Sequence, residues 1–138
     1  MRNGGDHFLE TKFFNPKIED ISSRISLPSA RSSDVLKDIS LFQMGPLVFG
    51  NFNISLGAAL GKSTIFLTGF PLPDVKGVTS SSGALLNCVS VLICASSTRN
   101  LAYLNSTNGN LIMSDNNTAS NSAGQTLFGT VFYIARLD

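Results

Sequence analysis

The chain has 138 residues, of which 43% are hydrophobic and only 14% charged, with a net charge of +1. That length fits one domain able to bury a core, and the near-neutral balance gives no electrostatic basis for binding nucleic acid or an anionic membrane. No stretch reaches the roughly 18 apolar residues of a membrane span, and the start lacks the charged-then-apolar pattern of a signal peptide.

The charges are unevenly placed. Residues 1–40 hold six of the ten basic side chains and six of the nine acidic ones. After residue 40 the polar residues are mainly Ser, Thr, Asn and Gly. Short apolar runs separated by such residues predict an all-β body.

Residues 1–15 open with an Asn-Gly-Gly turn signal followed by Phe8, Leu9, Phe13 and Phe14. Two readings stand side by side. The segment is an anchor that buries Phe8, Phe13 and Phe14 in another protein, or it is a flap packed on its own body. Residues 16–25 read as a short helix. Asn15 caps it, and Pro16 suits its first turn. Glu19 and Asp20 sit early and Arg24 late, as the helix dipole favours. Ile18, Ile21 and Ile25 then form a stripe spaced by three and four residues. In a trimer that stripe makes a brief three-stranded stalk; otherwise it packs on its own domain. Residues 27–33 are a linker by composition. A further turn is expected through Val35, Leu36 and Ile39, and Gly45-Pro46 ends the preamble. The expected organisation is therefore an N-terminal anchor, stalk and linker over 1–44 and a β domain over 45–138.

The β body opens at Leu47. Val48, Phe52, Ile54 and Leu56 alternate with Asn51, Asn53 and Ser55, which predicts a half-buried strand. Residues 63–68 form the next strand, broken by Pro71 and Pro73 because proline cannot donate to a ladder. Residues 85–95, LLNCVSVLICA, carry no charge and are apolar on both faces. A hairpin follows, with strands at 101–107 and 110–114 around Asn108-Gly109, a pair suited to a type I′ turn. Residues 126–136 repeat the two-faced pattern. Phe128, Phe132 and Ile134 lie on one side, and Leu127, Val131, Tyr133 and Ala135 on the other. Two strands without a wet face exceed what one small two-sheet core needs, and subunit association explains the excess.

Cys88 and Cys94 lie six residues apart on one strand, about 20 Å at the usual rise. A disulfide needs Cα atoms within about 7 Å. Both are expected to be reduced, buried, small hydrophobes.

Chemistry is sparse. After residue 40 the ionisable groups are Lys62, Asp74, Lys76, Arg99, Asp115, Arg136 and Asp138, with no Glu and no His. No catalytic set, metal-ligand spacing or cofactor motif is present in the sequence, so neither enzyme chemistry nor a cofactor or metal is expected. Surface binding fits better. Sugars are held by amides, hydroxyls and an aromatic face, and Arg99, Asn100, Tyr103 and Asn105, with Asn116 and Asn117 in the polar loop 115–121, supply such groups. The plainer reading makes them loop residues, with Tyr103 in a core or interface.

In order, the β body shows LVFGNFNISL (47–56), STIFLTGFPLPDVKG (63–77), the apolar strand 85–95, AYLNSTNGNLIMS (102–114) and FGTVFYIA (128–135). This run resembles the knob domains at the ends of bacteriophage fibre and receptor-binding proteins, over roughly residues 45–138. The resemblance implies an antiparallel β-sandwich, jelly-roll-like and homotrimeric, on a virion surface. It implies binding of host-surface polysaccharide or protein, or decoration of a capsid as a head fibre. Two features depart from the pattern: the Leu-Pro step is followed by Asp74-Val75-Lys76, and no long shaft precedes the knob. The expectation is thus a short trimeric fibre, attached to a capsid or tail protein through residues 1–40. A non-viral lectin-like jelly-roll module is the second reading.

Overall fold

The computed structural model describes residues 17–74, 88–95, 98–114 and 121–137. Eight strands are present among them: β1 (Ile18–Asp20), β2 (Val35–Met44), β3 (Leu47–Ser55), β4 (Ile65–Leu67), β5 (Cys88–Ala95), β6 (Thr98–Asn105), β7 (Leu111–Met113) and β8 (Thr126–Ile134). They form one sheet in the order β1-β2-β3-β8-β5-β6-β7-β4, and every neighbouring pair is antiparallel. The all-β body is as expected. The two facing sheets of a sandwich are replaced by one sheet that curls on itself.

The curl has identifiable causes. Residues paired across antiparallel strands point to the same face. One such row runs Ile39, Phe52, Gly129, Ile93 and Asn100 across β2, β3, β8, β5 and β6. Gly129 has no side chain, and the Phe52 ring fills its place: a Cβ there would lie 2.2 Å from Phe52 Cζ. Phe52 then meets Phe66 of β4, the far edge strand, with ring centroids 6.2 Å apart. The inner face is therefore closed over by its own edge. Backbone bonds between Ser26 and Thr68, at 3.1 and 2.9 Å, tie the chain beyond β1 to the chain beyond β4. The core lies inside this curl, with Leu41, Val48, Ile54, Phe66, Leu104 and Leu127 among its most buried members.

The N-terminal expectations need correction. Residues 18–20 do not begin a helix. Their partners are Phe42, Gln43 and Met44 of β2. Asp20 Oδ1 accepts hydrogen bonds from Ser22 N at 3.0 Å and Ser22 Oγ at 2.6 Å, a local turn that competes with helix formation. These bonds hold the Asp20 carboxyl below the usual carboxylate range, the side-chain bond contributing most. Only a short 3₁₀ turn follows, at Ser22–Arg24. The isoleucine stripe is not one helical face: Ile21 and Ile25 are buried in this chain's own core, whereas Ile18 is exposed.

The spacing of Leu36 and Ile39 has a different origin from a helix. A β-bulge falls between Leu36 and Asp38. One extra residue there lets Leu36 and Ile39 both pack on the core from a strand;. Gly45-Pro46 is the tip of the β2–β3 hairpin rather than the end of a preamble. Gly45 takes φ +58°, as the first central position of a type II′ turn requires. Residues 18–44 thus supply two strands to the sheet that holds the rest of the chain.

The hairpin at Asn108-Gly109 lies where expected, with a different turn. Among the described residues outside glycine, positive φ occurs only at Ser63, so Asn108 is not in a type I′ conformation. Asn105 Oδ1 accepts from Thr107 N and Oγ1, at 2.8 and 2.6 Å. That side chain sets up a longer loop over 106–109, closed by the Gly109 N bond to Asn105 O at 3.0 Å. Gly109 alone takes the left-handed conformation, at φ +70°.

A buried ion pair fixes where β2 starts. Arg31 donates from Nε to Asp34 Oδ2 at 2.7 Å and from Nη2 to Oδ1 at 2.8 Å. It also donates to the carbonyls of Ala58 and Ala59, while Gly57 N donates to Asp34 Oδ1. The 3₁₀ turn Ser29–Arg31 is thereby pinned to the loop after β3. Both side chains are nearly fully buried, so removal of one strands the other's charge. Asp34→Ala should cost about 3–5 kcal/mol, measured as a lowered midpoint in urea unfolding with the slope unchanged; a loss below about 1 kcal/mol, the range of an exposed pair, would show the pair to be solvated.

Candidate interaction surface

Because the sheet has one inner face, its other face is turned outward. Strand β8 shows this residue by residue. Leu127, Val131, Tyr133 and Ala135 are buried, whereas Phe128, Phe132 and Ile134 are 49, 69 and 48% exposed. The two-sided pattern expected for 126–136 is thus one core face and one open face. Tyr133 is anchored inward, donating its hydroxyl to Pro71 O at 2.7 Å. Burial holds its phenol above the usual range.

The pairing carries the outward pattern across neighbouring strands. Ile18, Met44, Leu47 and Ile134 share one row over β1, β2, β3 and β8. Phe42, Phe49 and Phe132 share the next, with Asp20 at its edge. Phe42 and Phe49 are in ring contact at 5.9 Å. A polar row follows, made of Ser40, Asn51 and Thr130. The fourth row runs Asp38, Asn53, Phe128, Cys94 and Arg99, across β2, β3, β8, β5 and β6. An acid and a base therefore stand at its two ends. Cys94, Phe128, Gly129 and Thr130 line a mostly apolar pocket of about 210 Å³ on this face. Leu101 of β6 is 45% exposed beyond it.

The expected site residues are distributed as follows. Arg99 is exposed and Tyr103 half-buried. Asn100 points inward: it is 6% exposed and donates from Nδ2 to Asn121 Oδ1 at 2.9 Å. It belongs to a buried polar contact and is not available to a surface sugar. Asn105 spends its Oδ1 on Thr107. Asn116, Asn117, Phe8, Phe13 and Phe14 lie outside the described residues, as do 85–87 of the long apolar stretch. The structure does not gather these residues into one cluster. Cys94 is free and exposed rather than buried, because it alternates with the inward Ile93.

The surface residues that the sequence left unassigned are Phe42, Met44 and Phe49, while Ile18 was assigned to a helical stripe. The signal of Phe42 and Met44 was present in the alternation of β2, but the bulge masked it. Among the described residues no helix is long and apolar enough to cross a membrane. Comparison with family models, with curated proteins and with solved structures finds no match.

The two faces of β8 should respond differently to charge. Val131→Asp places a carboxylate in the core and should abolish the folded far-UV spectrum, since an unpaired buried charge costs several kcal/mol. Phe132→Asp should keep that spectrum and unfold within about 0.5 kcal/mol of the unsubstituted chain as a monomer. Equal damage from both changes would contradict the assignment of faces.

Proposed function

We propose that this chain is a structural protein of a virus particle, a short homotrimeric phage fibre or capsid decoration. Its N-terminal segment attaches to a capsid or tail protein, and its β body is presented outward for host-surface binding or simple decoration. The observation that carries the proposal is the outward face of β8, where Phe128, Phe132 and Ile134 are left uncovered. Exposed apolar patches of a few hundred Å² are often functional and mark interaction surfaces; here two apolar rows and Phe128 flank the polar row through Thr130. The strand spacing that resembles phage knobs supports the virion setting.

We assign attachment to the residues before Ile18, where Phe8, Phe13 and Phe14 stand in sequence, because β1 and β2 are strands of the sheet. Of the expected site residues, Tyr103 on β6, half-buried, remains a candidate for contact with a host glycan.

Immunogold labelling of particles assembled with a tagged chain tests the setting. Label on the capsid or tail is expected, and deletion of residues 1–16 should remove it while the truncated chain keeps its β spectrum. Unlabelled particles would overturn the virion assignment, and undiminished label after the deletion would overturn the attachment segment.

A further inference from the structure

Resting on the self-association just proposed, we infer that the outward sheet face is the contact between copies, with Phe132 of one copy seated in the Cys94–Phe128–Gly129–Thr130 pocket of another. Phe132 is the projecting part. At 69% exposed it stands further out than any other aromatic side chain described. The pocket is the receiving part. Its volume of about 210 Å³ exceeds the roughly 150 Å³ that admits a benzene ring in an apolar cavity. Phe132 cannot fill its own pocket. It lies four residues beyond Phe128 on the same extended strand, about 13 Å away. A projecting ring and an open apolar hollow large enough for a ring, on one face of one chain, are complementary between copies.

Area and charge point to the same occupant. Taking roughly 200 Å² for an exposed phenylalanine, the open fractions of Ile18, Phe128, Phe132 and Ile134 present on the order of 400 Å². The adjoining Phe42 and Phe49 extend that patch toward the roughly 800 Å² that one partner contributes to a stable interface. The row through the pocket ends in Asp38 on β2 and Arg99 on β6, both exposed. A second copy laid across it can set its own base against this acid. A partner of uniform charge would be repelled at one end.

Cys94 makes the contact measurable. In the full-length chain carrying Cys88→Ser, a Phe132→Cys substitution leaves two thiols, at 94 and 132. They are too far apart on one chain to bridge, given the roughly 7 Å limit between Cα atoms. Across the inferred contact they meet. Mild oxidation with diamide, read on a non-reducing gel beside the equilibrium mass of the same sample, should give intermolecular cross-links that disappear when Cys94 is also changed to Ser. A covalent trimer supports the seating and the trimer together. A covalent dimer supports the seating and contradicts the trimer. An assembled chain that does not cross-link overturns the seating and leaves the assembly standing. A monomeric mass for the unsubstituted chain, weighed under the same conditions, overturns both.

A second measurement avoids the introduced thiol. In the unsubstituted chain Cys94 should react with a maleimide roughly tenfold more slowly than in Phe132→Asp, because thiol modification follows exposure. Equal rates would mean that nothing covers the pocket, and would overturn the seating.

Discussion

The fold depends on one steric exchange, in which Gly129 gives up a side chain so that the Phe52 ring can take its place and reach Phe66 on the far edge strand. Packed interiors tolerate few voids and no overlap, so ring and glycine must be matched. Their row lies midway along β8, next to the pairing with β5. A sheet closed at that point has one face for its core and one face for everything else. The Ser26–Thr68 bonds and the Arg31–Asp34 pair then hold the two margins in register with it.

This division gives the outward residues their meaning. A strand in the middle of a sheet normally hides its apolar residues on one side and shows polar ones on the other. On β8 only Thr126 and Thr130 follow that rule among the outward positions; Phe128, Phe132 and Ile134 do not. Six strands contribute to the surface, so it is a property of the sheet rather than of one unusual strand. The hydrophobic effect is non-directional; specificity has to come from shape and charge. In the contact proposed between copies, the pocket beside Phe128 and the opposite charges at the ends of its row would provide both.

Much of this was readable in the residues. The alternation over 47–56 and 126–136 assigned β3 and β8 and separated the two sides of β8, because period two survives wherever a strand is regular. What stayed hidden has physical causes. The bulge at Lys37 turned the period of β2 into a spacing of three, which mimics a helix. Ile18, Ile21 and Ile25 mimicked one as well, although Ile18 pairs with Met44 and the other two enter the core. Asn100 looked like a surface amide because nothing in sequence places Asn121 opposite it. The single curled sheet was not legible at all, since strand order follows from contacts such as Phe52 with Phe66, made across the fold. Cys94 was misplaced for a simpler reason: on a strand apolar on both faces, hydrophobicity cannot say which face is in.

Whether the outward face joins copies is decided by the equilibrium mass of the purified full-length chain at micromolar concentration. Sedimentation equilibrium should return three times 14.7 kDa, falling on dilution and in the Phe132→Asp variant. A mass of 14.7 kDa at every concentration, with the β spectrum intact, would contradict the role assigned to that face.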